Sequence, residues 1–381
     1  MNAPHFLLSD VTDAVESSGP DPDAHEFVFI DLASVDPSSK RVAAPKRMLV
    51  AGAPARARQR VRSGDVLVST IRPHLNGVAF VPLPLEGAFA STGFSVLRPR
   101  PELVDDRYLF SWVQGPSFVA EMARLATGGS VPAVSDTLVR SMAIPLPPLE
   151  EQRRIASILD QADQLRHDRR DAIALLDELA TAFLLDMVES AVEFGTVADL
   201  VESATYGTSA KAGHGGARGG RLPVIRGGNI TREGGLDLDD LVAVDLEDAE
   251  ADRFSVRDGD VLFFRTGNAE SVARSAVLRG DLPVVFAAAV IRLRPLQSSS
   301  ADFLAAFLDS AYGKSSLRGM GSINPKSLLS MPLPLPPIAE QTDFEGRLQD
   351  LRLARTNERL QLAKLDELYA SLQFRAFNGR L

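Results

Sequence analysis

Over most of the chain, apolar residues come in short runs. Segments such as "VLVST" (Val66–Thr70), "GVAFV" (Gly77–Val81), "DVLFF" (Asp260–Phe264) and "AVIRL" (Ala289–Leu293) are bounded by Gly, Pro and Asp. That is the pattern of short strands closed by turns. Two stretches depart from it, with seam positions at alternating spacings of four and three. In the first these are Ile155, Leu159, Ala162, Arg166, Arg169, Ile173, Leu176, Ala180 and Phe183; in the second, Phe344, Leu348, Leu351, Arg355, Glu358, Leu362, Leu365, Tyr369 and Leu372. The spacing is that of a coiled-coil seam. Each stretch predicts a helix of roughly 35–40 residues, about 55–60 Å long. In both, the polar exceptions stand at the middle of the seam. That symmetry points to an antiparallel pair about a pseudo-twofold axis, with Glu358 near Arg166 or Arg169, an ion pair that fixes register more than it adds stability. The alternative is that each helix packs only on its own neighbouring module.

The two helical stretches are copies of one cassette. "PLPPLEEQRRIASILDQADQLRHDRRDAIALLDEL" (Pro145–Leu179) and "PLPPIAEQTDFEGRLQDLRLARTNERLQLAKLDEL" (Pro334–Leu368) share the PLPP block, the EQ pair and the closing LDEL without a gap. The duplication extends into the segments between them. "VRSGDVL" (Val61–Leu67) returns as "VRDGDVL" (Val256–Leu262), and "STGFSVLRP" is echoed by "AAVIRLRP". A helix-like stretch with aromatics then follows, Tyr108–Met122 and Ala301–Tyr312, and a Gly-Ser turn precedes each PLPP block. The period is far longer than a solenoid repeat, so these are duplicated domains. The expected fold is α+β, with two modules, each a curved, mainly antiparallel sheet with short helices, separated by two long antiparallel coiled-coil helices. The corresponding boundaries are residues 1–147 for the first module, 148–190 for the first helix, 191–336 for the second module and 337–381 for the second helix.

Composition narrows the chemistry. The 381 residues include no cysteine, which removes disulfides and thiolate metal sites, and the five scattered histidines show no metal-ligand spacing. No apolar run is long enough to cross a membrane, and the N-terminus lacks a signal-peptide layout, so a cytoplasmic protein is expected. The net charge of −9 alone argues against a nucleic-acid partner. Its distribution does not, because Lys40–Arg62 carries eight basic residues and no acid, whereas Asp237–Asp252 carries eight acids and no base. "GGARGG" lacks the strand-to-helix setting of a dinucleotide fingerprint, and "YGKSS" has Leu308 where a phosphate loop needs its first glycine. No amino-methyltransferase motif, nucleophile elbow or metal-binding carboxylate set is found, so the chain alone is not expected to be an enzyme.

The first cassette, together with the closing "AKLDELYASLQFRAFNGRL", resembles the conserved helical region of type I restriction-modification specificity subunits. The alternation of module and helix matches over the whole chain; the second cassette departs at "PPIAEQTDFEG", where Gly346 lies inside the helix. The resemblance implies target-recognition modules that each read one half of a split DNA target, held apart by the helix pair. It implies double-stranded DNA and two adenine-N6 methyltransferase subunits as partners, with an endonuclease/translocase subunit able to join. It implies no cofactor in this chain, S-adenosylmethionine being expected in the methyltransferase.

If the modules read DNA, Arg56, Arg58, Arg60 and Arg62 are backbone-contact candidates, and Arg72, His74 and Asn76 in "STIRPHLN" are base-contact candidates. In the second module the glycine-rich stretch Tyr206–Gly235 supplies Lys211, Arg218, Arg221, Arg226 and Arg232. Glycine lets the backbone approach a ligand closely, and the cations attract phosphate. Arg226, Asn229, Arg265, Thr266 and Asn268 stand at places roughly equivalent to the first module's candidates. The Gly-Ser turns add Ser130, Asn324 and Lys326, although turn chemistry explains those turns nearly as well. The arginine run reads equally as a solvated face, the glycine-rich stretch as a surface loop, and Trp112 as core. A different class of function, a duplicated scaffold that bridges two proteins without reading DNA, is separated from the first by salt-dependent binding to duplex DNA.

Overall fold

The computed structural model describes residues 3–210, 221–232, 234–266, 274–317 and 323–381. The chain divides into two units. One comprises Met1–Asp171 with Glu358–Leu381, the other Ala172–Asn357. The two long helices, Leu149–Ser190 and Ile338–Phe377, are therefore shared, each giving one part to each unit. Each helix starts directly after a PLPP block, because proline cannot continue the preceding strand as a ladder donor. Acidic residues in the first turns (Glu150, Glu151; Glu340) suit the positive end of the helix dipole. The second helix runs unbroken through Gly346.

The same strand order appears in both units. In the first, a sheet of Thr12–Asp13, Phe94–Pro99, Val66–Ser69 and Val78–Phe80 is antiparallel throughout. Its counterpart is Val201–Tyr206, Val290–Pro295, Val261–Phe264 and Arg274–Val277. A second sheet in each unit contains one parallel pair, Phe89–Ser91 with Glu26–Ile30 and Val285–Phe286 with Arg221–Ile225. A small third pairing ties the start of each module to the strand before PLPP, His5–Leu7 with Ala143–Pro145 and Phe194–Thr196 with Pro332–Pro334. Each expected helix-like stretch is two helices, Asp106–Val113 and Pro116–Leu125, then Ala301–Asp309 and Ala311–Ser316. The first break falls at Gly115, which is extended because a proline follows it. The second falls at Ser310, whose hydroxyl caps the next helix by accepting from the Gly313 amide.

Two repeated motifs prove to be structural ties. In "VRxGDVL" the glycine takes a left-handed φ (+90° at Gly64, +83° at Gly259) and turns the chain into the strand. The following aspartate is buried and accepts from the backbone amide three residues back, Arg62 or Arg257, at 2.8 Å. The arginine of the "LRP" strand then grips the same carboxylate with two hydrogen bonds, Arg98 on Asp65 at 3.0 and 2.8 Å and Arg294 on Asp260 at 2.8 and 2.7 Å. These carboxylates raise the pKa of both arginines above the ordinary value. The EQ glutamine of each cassette joins helix to module. Gln152 accepts from the Asp105 amide at 2.9 Å and donates to the Pro147 carbonyl at 2.8 Å. Gln341 accepts from the Ser300 amide at 2.9 Å and donates to the Pro336 carbonyl at 2.8 Å.

The long helices pair with each other, and each also packs on its neighbouring module, so the exclusive alternative does not hold. Seam residues Ile155, Leu159 and Ala162 enter the first unit's core with Leu109, Val139 and Tyr369. Phe344 enters the second unit's core with Leu184 and Phe303. Burial of one such side chain contributes about 1.5–3 kcal/mol. Within each unit the helices also meet antiparallel. In the first, Arg169 pairs with Glu358 at 2.9 Å, Arg166 pairs with Asp366 at 2.6 Å and stacks on Tyr369, and Arg154 donates to the Leu381 carbonyl oxygen. In the second, Arg355 pairs with Asp177 at 2.8 Å, Arg347 lies over the Phe183 ring, and Ile173, Leu176, Leu348 and Leu351 are half-buried. Leu362 and Leu365 are half-buried in the first unit. No helix among the described residues is long and apolar enough to cross a membrane.

Candidate nucleic-acid interface

In the first unit the strand Ala57–Arg60 alternates inward and outward, as the two-residue period of a strand requires. Ala57 enters the core, while Arg58 and Arg60 are exposed together on the other face. Arg56 stands exposed in the turn before it, 3.8 Å from Asp31 and over the Phe29 ring. Burial alone would raise Asp31, but the Lys46 ammonium at 2.6 Å and the Ser34 hydroxyl and amide hold its pKa below the ordinary value. Arg62 is exposed, with its amide committed to Asp65.

The segment following the strand Val66–Ser69 is a single 3₁₀ turn, Pro73–Leu75. It is bracketed by Arg72 (φ +48°) and Asn76 (φ +50°), two non-glycine residues in the left-handed region. Each such conformation costs on the order of 1–3 kcal/mol and persists only where its surroundings impose it. They do so here. The Arg72 amide donates to the Pro132 carbonyl at 2.7 Å, Ile71 bridges Ala133, and the Asn76 side chain donates to the Gln114 carbonyl at 3.2 Å. The result presents Arg72, His74 and Leu75 to solvent, with Leu75 52% exposed. The Gly-Ser turn carrying exposed Ser130 packs beside them through these contacts. The Ser91–Gly93 turn links the Arg56 turn to this segment, since the Thr92 amide donates to Arg56 and the Thr70 amide to Gly93, both at 2.9 Å. The structure thus brings Arg56, Arg72, His74 and Ser130 to one edge of the module.

The second unit repeats the arrangement around Ala287–Ala289. Ala287 donates to the Ile225 carbonyl beside Arg226, Ala288 to Thr208, and Arg265 to Ala289. The Arg265 guanidinium stacks 4.7 Å from the Tyr206 ring centroid and donates to the Ala288 carbonyl. Arg226 is half-buried, with its guanidinium on the Asp240 carbonyl at 3.2 Å. Thr266 and Lys326 are exposed. Lys211, Arg218 and Asn268 lie outside the described residues, and Arg221 is described only by its backbone pairing with Asp245.

One asparagine expectation requires correction, and two further asparagines are engaged with backbone groups. Asn229 is 3% exposed and fully engaged, accepting from the Arg226 amide and donating to the carbonyls of Asp237 and Asp240, so it cannot reach a base. Asn324 caps the helix Pro325–Leu329 by accepting from the Ser327 amide at 2.9 Å. Asn76 is half-buried, with its amide held by Gln114, so it shapes the turn. Sequence reasoning also missed Lys40, at the tip of the hairpin Val35–Val42. Its ammonium donates to the Asn76 carbonyl at 2.6 Å, a contact 36 residues distant in sequence that no local motif announces. Burial, with Arg166 adding repulsion, pushes the Lys40 pKa down to about 8.

Residues 59–174 match the family model of the type I restriction modification DNA specificity domain. Over 331 residues the chain is 24% identical to the EcoKI specificity subunit of Escherichia coli K12, covering 78% of this chain and 70% of that one. A 131-residue stretch is 26% identical to the HindI specificity subunit of Haemophilus influenzae, covering 34% of this chain and 28% of that protein. Among solved structures, a chain of the type I R-M system aligns with a TM-score of 0.60 at 24% identity, covering 100% of this chain and 98% of its own. The S subunit from M. genitalium aligns with a TM-score of 0.58 at 12% identity, covering 99% and 96%. The duplicated fold with its long helices is the fold of these solved chains. The chain is thus similar over most of its length to specificity subunits of type I restriction-modification systems, and its residues 59–174 match their DNA specificity domain.

Proposed function

We propose that this chain is the DNA-reading, non-catalytic subunit of a type I complex, and that each unit reads one block of a bipartite target. The observation that carries this reading is the repeated edge, with Arg56, Arg72 and His74 around Ser91–Gly93 in one unit and Arg226, Arg265 and Thr266 around Ala287–Ala289 in the other. Exposed Arg58 and Arg60 supply phosphate contacts, which position the module without specifying sequence. Chemistry resides in partner methyltransferases, which would carry S-adenosylmethionine and turn the target adenine out of the stack. The long helices offer them seats, because large apolar side chains stay exposed there, Leu165, Leu360 and Phe374 in the first unit and Leu175, Leu179 and Leu353 in the second.

Co-expression with the methyltransferase partner, followed by mapping of N6-methyladenine, tests the reading. Two specified blocks around a constant gap are expected; methylation at a single block, or without sequence preference, would contradict it. Binding to duplex DNA should weaken steeply with salt, and Arg58→Ala with Arg60→Ala should reduce the log–log slope by roughly 0.9 for each phosphate no longer neutralised. Salt-independent binding, or none, would favour a scaffold that does not read DNA.

A further inference from the structure

The hairpin Val35–Asp36/Arg41–Val42 reaches from the module's core to the first long helix. Its tip is a compact turn in which Asp36 accepts from the amides of Ser38 and Ser39. On the helix, buried His167 places Nε2 3.0 Å from the Ser39 carbonyl oxygen and Nδ1 2.9 Å from the Asp163 carbonyl oxygen. The next tip residue, Lys40, takes a left-handed φ of +57° and donates from its ammonium to the Asn76 carbonyl. Asn76 closes the strained turn that presents Arg72 and His74. Two consecutive residues thus join the long helix to that turn.

Hairpin folding alone does not account for Lys40. Val35, buried in the module core, and Val42, packed against it, already anchor the hairpin. A lysine at a tip ordinarily extends into water, whereas this side chain is half-buried and its hydrogen-bond partner is a carbonyl rather than a carboxylate. We propose that Lys40 is a positioning residue for target recognition, holding the Arg72–Asn76 turn in its reading conformation while His167 fixes the hairpin tip to the helix. Base discrimination in one half-site is thereby coupled to the helix on which partners are proposed to sit. The inference rests on the reading that Arg72 and His74 face DNA. It makes Lys40 specific to the first unit's block and leaves the other block as an internal control.

The test uses the full chain with its methyltransferase partner. Methylation rates are compared on the cognate duplex and on duplexes altered in either block. Arg72→Ala identifies the block read by this turn. Lys40→Met should reduce discrimination in that same block on the order of tenfold, the scale of one base contact. Discrimination in the other block and affinity for unrelated duplex DNA should be unchanged, and Lys40→Arg, which keeps a long cationic donor, should restore most of the loss. His167→Phe, which removes both ring contacts, should reproduce the one-sided loss. Discrimination within twofold of wild type in Lys40→Met, while Arg72→Ala is impaired, would overturn the positioning role alone. An equal loss in both blocks would also overturn it, as general destabilisation. No effect of Arg72→Ala on either block would remove the underlying reading of the turn. Should Lys40→Met fail to fold, Lys40→Gln provides the same comparison.

Discussion

Asp309 ends the helix Ala301–Asp309 with its carboxylate turned inward, accepting from the Ser275 amide at 3.2 Å and standing 3.6 Å from the Lys314 ammonium. Burial outweighs both and pushes its pKa up to about 6 from 3.8. Between those values the folded protein keeps a proton that the unfolded chain has released. The associated stability is fully present below about pH 4 and is lost as pH rises through 6. Asp309→Asn keeps the acceptor for Ser275 and removes the charge. The variant should be more stable than wild type at pH 7 by about 1–2 kcal/mol, with the difference fading towards pH 4. Denaturant midpoints at pH 4, 5, 6 and 7 check this, and a difference that does not change with pH would contradict it. Asp309 had no signature in the sequence, because its burial depends on the strand Arg274–Val277 far along the chain. The arginines of Lys40–Arg62 were legible by charge and those of Ala57–Arg60 by alternation, but charge could not show that Lys46 and Arg56 share Asp31. The base-contact asparagines were chosen by residue type and by their place after a strand-like run. Type cannot distinguish an amide aimed at a ligand from one spent on its own loop, as Asn229 is.

At the scale of elements, the long helices were the most legible feature, since a seam with period three-and-four over four heptads has no strand interpretation. They extend over 42 and 40 residues. The polar centre was legible too, and the choice left open between Arg166 and Arg169 is resolved by geometry, with Glu358 on Arg169 and Arg166 taken by Asp163 and Asp366. The duplicated EQ and GD motifs were visible as repeats, but their purpose was not, because the partners of Gln152, Gln341, Asp65 and Asp260 lie 33 to 49 residues away. Glu358→Lys would set two cations against each other in a half-buried position. A loss of about 1–2 kcal/mol is expected, with a fall of a few degrees in melting temperature. Adding Arg169→Glu restores opposite charges, and a coupling energy of at least about 0.5 kcal/mol should appear in the double-mutant cycle. Unchanged helicity and melting temperature in Glu358→Lys would exclude a register role for this pair.

At the scale of the whole molecule, the sharing of both helices between two units is the property most closely bound to the proposed function. A subunit that reads two separated blocks needs a link whose length does not fluctuate. A long helix supplies it, because each residue adds a fixed rise of about 1.5 Å. Continuity is visible in the chain itself, as neither helix is interrupted where it passes from one unit to the other, at Asp171–Ala172 and at Asn357–Glu358. Removing one heptad from the middle of each helix keeps the seam in phase and shortens each by about 10 Å. That length corresponds to at most about three base pairs of duplex. Mapped N6-methyladenine should then show the same two specified blocks around a shorter gap. Deleting a heptad from one helix only would break the antiparallel match and should abolish methylation rather than shift it. A gap that stays constant when both helices are shortened would mean that the helices do not set the spacing, and the proposed seating of partners would be left as the purpose of the long cassettes.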